Sequence, residues 1–276
     1  MDYSGNGKQM SGKVVTVTSG KGGVGKTTLT ANLAAALAAD GLKVVCIDAD
    51  IGLRNLDVIL GLENRIVYDL VDVVEGRCRL RQAMIRDKRL PELYLIPAAQ
   101  TRDKNAVSPS DMIRLANELR QEMDWILIDS PAGIERGFRN AIAPADIVLV
   151  VTNPEVAAVR DADRIIGLIE AEEKGPARLV INRIKPAMVK RGEMLSMQDV
   201  IELLAIELVG LIPDDENVVI SANRGNPIAL NGKTKAAQSF RNIAQRLQGH
   251  NVPFLEMQED GSLFGRLARM LRAGGN

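Results

Sequence analysis

Cysteine is scarce in this sequence, which has only Cys46 and Cys78 among its 276 residues. Two cysteines are too few for a disulfide framework. Cys46 lies within the apolar run 43–47, where a buried structural thiol is the expected state. We therefore expect a protein that is made and kept in the reducing environment of the cytoplasm.

The sequence also lacks net charge and long apolar runs. Lys plus Arg and Asp plus Glu number 35 each, so the formal charge is zero, and no nucleic acid partner is expected for the surface as a whole. No apolar stretch approaches the roughly 20 residues that span a bilayer. Residues 1–12 are polar and glycine-rich, lack the apolar centre of a signal peptide, and are predicted to form a flexible arm.

What the sequence does contain is an alternation of short β-branched runs with helical patterns. Hydrophobic residues make up 46% of the chain, which is enough for a sizeable core. Most of the apolar runs are continuous, as in strands that are covered on both faces. The alternation predicts an α/β fold with a doubly wound, mostly parallel sheet. The predicted strands are 14–18, 44–47, 93–96, 125–128, 147–152, 179–181 and 208–212.

Helical patterns occupy the intervals between these runs. Gly41 follows the first of them at the position of a C-cap, and Ser110 and Ser196 are the predicted N-caps of two others. The predicted helices are 27–39, 110–123, 156–171, 197–206 and 234–247.

A phosphate-binding loop follows the first predicted strand. The segment from Gly20 to Thr27 matches the motif G-x-x-x-x-G-K-[ST] between a strand and a helix, the context that this motif requires. Its glycines let backbone amides point at phosphate oxygens, and the helix N-terminus adds a positive dipole. Lys26 would hold the β- and γ-phosphates of ATP, Thr27 would ligate Mg²⁺, and Thr28 would reach the α-phosphate. The predicted nucleotide-binding residues of this P-loop NTPase are Gly20, Lys21, Gly22, Gly23, Val24, Gly25, Lys26, Thr27 and Thr28.

Acidic residues follow two further predicted strands. Asp48 and Asp50 end the second strand, and Asp129 ends the strand 125–128, so all three are expected at the carboxyl edge of the sheet, where ligands bind in open α/β folds. A carboxylate there can orient an attacking water or hold one that is bound to Mg²⁺. The alternative is a turn or N-cap aspartate, which is common at strand ends. For Asp48 a role behind the metal and a structural role remain equally open.

Several runs of the sequence resemble a known family of ATPases. The string KGGVGKTT, with the extra lysine Lys21 inside the loop, is similar to the deviant phosphate loop of the MinD/ParA/NifH class. The runs DADIGLRNLD, DSPAGIE, TNPEVAAVRDADRI and RGEMLSMQDV, which begin at Asp48, Asp129, Thr152 and Arg191, resemble the MinD family of septum-site-determining ATPases. The resemblance covers about residues 13–248.

This resemblance implies a homodimer that two ATP molecules hold together. Lys21 of each chain would reach the nucleotide of the other chain, as an arginine finger does. Lys21, Lys26 and Asp50 would be catalytic, with Asp50 positioning the hydrolytic water. Asp129 would lie near Mg²⁺ through a water molecule, and Asn55 would lie at the dimer interface.

The resemblance also implies a base site and protein partners. Asn182, with Arg183, would end a strand and recognise adenine, with Pro213 beside the base; a plain strand-end turn is the alternative for Asn182. The helix 156–169 would border the dimer groove where a MinC-type division inhibitor and a MinE-type regulator dock. From its residues alone, this helix is an amphipathic surface helix.

The end of the chain is predicted to lie outside the ATPase domain, which spans 13–249. Residues 250–260 are acidic, have no clear period, and are interpreted as a tether. Residues 261–276 are predicted to form an amphipathic helix that binds the interface of an anionic membrane; packing on the domain or on a partner is the alternative. Its predicted membrane-facing residues are Leu263, Phe264, Leu267, Met270 and Leu271, with Arg266, Arg269 and Arg272 on the opposite side.

A helix of about three turns is marginal alone in water and must fold as it binds. Two copies in an ATP dimer would bind about 10² to 10⁴ times more tightly, so ATP binding would place the protein on the inner face of the plasma membrane and hydrolysis would release it. The alternatives are a ParA-type segregation ATPase, a FlhG-type flagellar-number regulator, and a scaffold that binds ATP without hydrolysing it.

Overall fold

The computed structural model describes residues 12–103 and 105–257, which form an eight-stranded sheet in the order β3-β4-β2-β5-β1-β6-β7-β8. All neighbouring strands are parallel except β3 and β4, which are antiparallel. The strands are β1 Lys13–Thr18, β2 Val44–Asp48, β3 Ile85–Arg86, β4 Leu93–Ile96, β5 Trp125–Asp129, β6 Ile147–Thr152, β7 Ala177–Ile184 and β8 Glu207–Pro213.

Helices connect the strands and cover both faces of the sheet, which confirms the doubly wound α/β fold. A single 3₁₀ turn, Glu63–Arg65, follows the second helix. The α-helices are α1 Lys26–Ala39, α2 Leu56–Leu60, α3 Leu70–Val74, α4 Leu80–Ala83, α5 Pro109–Leu119, α6 Arg136–Ile142, α7 Val156–Ala171, α8 Pro186–Lys190, α9 Met197–Leu204, α10 Glu216–Asn223, α11 Ile228–Asn231 and α12 Lys235–Leu247.

All seven predicted strands are present, and each is the core of an observed strand. The sequence did not reveal β3, whose two residues pair antiparallel with β4 at the edge of the sheet. Two residues are too few to show a hydrophobic period, which is the primary signal of a strand in a sequence.

The N-cap predictions were right for α9 and wrong for α5. Ser196 caps α9, but α5 is capped by Ser108 instead of Ser110. Ser108 Oγ accepts from the Asp111 amide at 3.2 Å, and the Asp111 carboxylate accepts from the Ser108 amide at 3.1 Å. This capping box needs the serine three residues before its acidic partner, with Pro109 free to occupy the first helical position.

The core lies on both faces of the sheet. On one face Val15, Val17 and Cys46 pack against α1 and α12; on the other face Val14, Val45 and their neighbours pack against α3, α5 and α7. Burial, with the nearby carboxylates of Asp129 and Asp48, raises the pKa of the Cys46 thiol. Cys46 is therefore the inert, buried thiol that its apolar run predicts.

The polar residue Asn32 of α1 is buried, and both polar atoms of its side chain are hydrogen-bonded. Its Nδ2 donates to the Thr28 carbonyl at 2.8 Å, and its Oδ1 accepts from the Ala229 amide of α11 at 2.9 Å. These bonds offset the cost of placing an amide in the core. They also fix α1, which carries the phosphate loop at its start, against α11.

Some predictions fall outside the described residues: most of the arm 1–12, residues 258–260 of the tether, and the whole amphipathic unit 261–276 with its eight named side chains. Residues 250–257 are described and contain neither helix nor strand. Within the described part of the chain, no helix is both long and apolar enough to cross a membrane.

Candidate nucleotide-binding site

The phosphate loop links the end of β1 to the start of α1 and has the backbone shape that phosphate binding requires. Gly23 and Gly25 have φ of 79° and 103°, a region that glycine adopts without strain. A Cβ on Gly25 would lie 2.3 Å from Asn182 Nδ2, and one on Gly20 would lie 2.2 Å from the Asp161 carbonyl oxygen of α7. Both positions therefore need glycine for close packing, and Gly25 needs it for its conformation as well.

The two lysines of the loop occupy different environments. Lys26 is buried, with 8% of its surface exposed, whereas Lys21 is exposed on the rim. Ser19 Oγ donates to the Lys21 carbonyl at 2.8 Å, which holds the backbone of the loop. Thr27 and Thr28 are half-buried in the first turn of α1, whose open amides face the loop. Lys26 is thus buried within the site, whereas Lys21 is exposed to solvent.

Two carboxylates, Asp48 and Asp129, lie side by side behind the loop. They end the adjacent strands β2 and β5, are directly paired in register, and are 1% and 2% exposed. The hydroxyls of Thr27 and Thr30 hydrogen-bond to Asp129, with 3.3 Å between Thr30 Oγ1 and Asp129 Oδ1. The prediction that these strand-end acids share one edge of the sheet is confirmed.

Burial dominates the electrostatics of this pair. It raises the pKa of Asp48 to about 6, against the backbone hydrogen bonds that lower it. Burial and the charge of Asp48 raise the pKa of Asp129 to about 7, while Thr27, Lys26 and Thr30 lower it. Two carboxylates this close resist ionising together, and a nearby cation favours the state in which both are charged. Lys26 supplies one positive charge, and the donor set of Thr27 and Asp129 fits Mg²⁺ as a second.

Asp48 also organises the loop that follows β2. Its Oδ1 accepts from the Asp50 amide at 3.0 Å, and its Oδ2 accepts from the amides of Asn55 and Leu56 at 3.1 and 3.2 Å. These bonds hold the start of α2 and leave Asp50 half-buried and Asn55 exposed. Asp50 lines a cavity of about 390 Å³ between this loop and the segment after β5.

Asn182 lies against the phosphate loop, where its Nδ2 donates to the Val24 carbonyl at 2.7 Å. The prediction that Asn182 and Arg183 end their strand is wrong, because β7 continues to Ile184. An irregularity of the pairing with β8 lies between Ile181 and Ile184, and Arg183 adopts a φ of 58° there. This distortion leaves Arg183 exposed, beside Pro213 at the end of β8.

Sequence reasoning missed two contributors to the site. Thr30 bonds both to Asp129 and to the Lys26 carbonyl, the latter at 3.0 Å. Its signal was a hydroxyl between the apolar residues Leu29 and Ala31, one turn after the loop lysine. The backbone of Asp161, against which Gly20 packs, had no signal because a carbonyl contact is independent of residue type.

Comparison with known proteins identifies the family. Residues 15–228 match the CobQ/CobB/MinD/ParA nucleotide binding domain. A septum site-determining protein MinD from Synechocystis sp. is 52% identical over 264 residues, which cover 95% of this chain and 99% of that protein. The chain belongs to the MinD family.

Solved structures of MinD proteins have the same fold. The MinC:MinD cell division protein complex of Aquifex aeolicus matches with a TM-score of 0.83 and 49% identity, over 90% of this chain and 100% of that chain. MinD of Pyrococcus horikoshii, complexed with Mg-ADP, matches with a TM-score of 0.77 and 27% identity, over 85% of this chain and 95% of that chain. As a member of the MinD family, the chain is an ATP hydrolase that acts in placing the division septum.

Proposed function

We propose that this MinD-family ATPase is a nucleotide-timed membrane switch. It binds ATP with Mg²⁺ and dimerises, attaches to the inner face of the plasma membrane through residues 261–276, recruits a division inhibitor, and leaves the membrane after hydrolysis. The observation that carries the proposal is the contrast between the two loop lysines, one buried inside a complete phosphate loop and one exposed on its rim.

The residues inside the site would hold the nucleotide and the metal. Lys26 and the backbone amides of residues 20–28 would bind the phosphates, and Thr27 with Asp129 would hold Mg²⁺, Asp129 through a water molecule. Bound Mg²⁺ would neutralise charge on the β- and γ-phosphate oxygens. Asp48 would stay behind the metal, since its oxygens already accept three backbone amides. Asp50 would orient the attacking water.

The base would bind at the edge formed by β7 and β8. Asn182 is buried against the loop, and the distortion of β7 exposes Arg183 next to the strand end that carries Pro213. The Asn182 amide nitrogen is used by Val24, so its oxygen is the atom that would accept from the adenine amino group. Pro213 would pack against the ring.

The exposed residues of the rim would form the dimer. Lys21 and Asn55 are both exposed at the edge of the sheet that carries the phosphate loop. In the dimer each Lys21 would reach the nucleotide of the other chain and stabilise charge that develops on the phosphates. ATP, which supplies the charge that Lys21 recognises, would thus hold the two chains together.

A MinC-type inhibitor is the proposed partner, because the Aquifex aeolicus relative is described as a complex of MinC and MinD. Helix α7 buries Ile165, Ile166 and Ile169 and exposes Arg160 and Arg164. Its charged side, beside the phosphate loop, is where we place the docking of this inhibitor and of a MinE-type regulator.

The test is sedimentation with anionic lipid vesicles, in ADP and in ATP with Mg²⁺. The full chain should sediment only with ATP, and a chain lacking residues 261–276 should stay in solution under both conditions. Lys21→Ala should still bind ATP but remain monomeric and unsedimented, whereas the control Lys185→Ala should sediment like the wild type. Vesicle binding that ignores the nucleotide, or that survives the deletion, would contradict the proposal and leave only the ATPase.

A further inference from the structure

The described C-terminal segment is bound to the ATPase domain by one arginine. Arg246, near the end of α12, donates from Nε to the Val252 carbonyl at 2.8 Å and from Nη2 to the Pro253 carbonyl at 2.8 Å. Its Nη1 donates to the Val209 carbonyl of β8 at 3.0 Å. The ring of Phe254 covers the same guanidinium, with 4.0 Å between the ring centroid and Cζ. We call Arg246, Val252, Pro253 and Phe254 the clasp.

The clasp uses the particular chemistry of arginine. Three donors of one planar group reach three carbonyls in two separate segments, and the π face of Phe254 contacts the cation. Lysine has one compact ammonium group and could not bridge these positions in the same way. The contacts therefore hold residues 252–254 at a defined place on β8.

The chain on either side of the clasp also follows the domain. Gly249 has a φ of 93°, and the His250 amide donates to the Gln245 carbonyl at 3.1 Å, which turns the chain out of α12. Met257 packs against the core on the α7 side of the sheet. The path crosses the amino edge of the sheet, next to Lys13 and Glu207, which begin β1 and β8.

We propose that the clasp is a positioning device that fixes where the C-terminal unit leaves the domain, and thereby strengthens binding of the ATP dimer to an anionic lipid surface. This inference rests on the proposed membrane attachment through residues 261–276. With the clasp closed and Met257 packed beyond it, only the three residues 258–260 separate Met257 from the unit. Opening the clasp frees the chain after Gly249, including Met257, and restores the eleven residues 250–260 of the predicted tether.

The length of the tether sets the size of the effect. Once a linker is long enough to span the two sites, effective concentration falls with about the −3/2 power of its length, so in this range lengthening from three to eleven residues lowers it roughly sevenfold. Because the second helix of a dimer binds at this effective concentration, the apparent vesicle affinity of the dimer should fall by the same factor. The affinity of a single helix should not change.

The experiment measures vesicle affinity of the full chain with ATP and Mg²⁺, using vesicles of mixed phosphatidylglycerol and phosphatidylethanolamine. Arg246→Ala and Phe254→Ala open the clasp, and Phe254 is 39% exposed and lies outside the core clusters, so its loss should leave the fold of the domain unchanged. Asn251→Ala, an exposed position in the same segment, is the matched control. We expect binding roughly sevenfold weaker for Arg246→Ala, weaker to a smaller extent for Phe254→Ala, and unchanged for Asn251→Ala.

An insertion separates positioning from a general structural defect. Eight Gly/Ser residues after Met257 lengthen the tether while the clasp stays intact, and should weaken binding roughly sevenfold. In Arg246→Ala the same insertion extends a tether that is already long, so it should weaken vesicle binding only about twofold. ATP hydrolysis without vesicles and ATP-dependent dimerisation should equal those of the wild type in every variant.

The two proposals fail in distinguishable ways. If the wild type itself does not bind vesicles with ATP, the proposed function fails. If the wild type binds and the Arg246→Ala and Phe254→Ala chains bind equally well or more tightly, the clasp has no positioning role. Equal penalties for the insertion in the two backgrounds would also overturn the inference, because tether length would then not be what the clasp controls.

Discussion

Aspartates at the two edges of the sheet have pKa values that are shifted in opposite directions. At the amino edge, Asp146 precedes β6 and accepts two hydrogen bonds from Arg120, at 2.7 and 2.8 Å, and one from the Val14 amide. Partial burial alone would raise the pKa of Asp146, but the bonds from Arg120 and Val14 lower it below its usual value. At the carboxyl edge, Asp48 and Asp129 lie side by side, and burial raises the pKa of both.

This difference distinguishes a carboxylate that stabilises the fold from a pair of carboxylates that serves a ligand site. The chain itself completes the ion pair at the amino edge, which needs nothing from outside. The carboxyl edge gathers like charges that the chain only partly compensates through Lys26. Perturbed carboxyl groups that need an added cation are typical of ligand sites, and here they lie behind the phosphate loop.

The largest expected effect comes from removing Lys26, whose charge partly compensates the paired carboxylates of the carboxyl edge. Lys26→Ala should weaken ATP binding by about 10²-fold or more, since it deletes a charge-assisted contact to the phosphates in a buried site. Isothermal titration with ATP and Mg²⁺ measures this. Lys43→Ala, an exposed lysine just before β2 at the amino edge, is the control. Equal ATP affinity of Lys26→Ala and Lys43→Ala would mean that Lys26 contributes no more to ATP binding than an exposed lysine at the amino edge.

A smaller effect, of a different kind, is expected at the amino edge. Arg120→Ala removes the pair with Asp146 and the bonds to the carbonyls of Gly12 and Pro144. The free energy of unfolding in urea should fall by about 1 to 2 kcal/mol, because the side chain of Arg120 is only 19% exposed while that of Asp146 is 42% exposed.

ATP affinity should not change in Arg120→Ala. Arg114→Ala, which breaks an exposed pair with Asp111 on α5, is the control and should cost less than about 0.5 kcal/mol. A loss of ATP binding in Arg120→Ala would show that the amino edge is not purely structural.

The smallest expected effect is a change of stability with pH, to which the carboxylates of the two edges should contribute differently. Asp129, with a pKa of about 7 in the folded chain, binds more protons there than in the unfolded chain between pH 8 and 6. Stability of the nucleotide-free chain should therefore rise as the pH falls, by about 1 kcal/mol over this interval. Urea unfolding at pH 8 and pH 6 measures the rise, which should be much reduced in Asp129→Asn.

Asp146→Asn is the matched control at the other edge. From pH 6 to 8 Asp146 is ionised in the folded chain, where its pKa is lowered, and in the unfolded chain, where its pKa has the ordinary value of an aspartate. The substitution should therefore leave the rise in stability with falling pH unchanged. A rise that persists in Asp129→Asn and vanishes in Asp146→Asn would reverse the comparison.

Local signals in the sequence were enough for most of the architecture. The continuous β-branched runs predicted seven of the eight strands because a strand covered on both faces needs apolar residues at successive positions. The glycines and Lys26 of the phosphate loop were recognisable because the loop is contiguous and its spacing is imposed by the phosphates. The acids Asp48 and Asp129 were placed at one edge because parallel strands end together.

Only the tertiary structure decided which side chains meet. Asn182 reaches the Val24 carbonyl across 158 positions of the chain, and Thr30 reaches Asp129 across 99. Both depend on the strand order: β7 lies one strand away from β1, beyond β6, and β5 lies between β2 and β1 although it follows them in sequence. The contacts of Arg246 likewise require β8 beside α12. Hydrophobic pattern and motif spacing are properties of neighbouring residues. These contacts instead depend on crossovers that bring distant segments side by side, and the resulting strand order cannot be predicted from local sequence patterns.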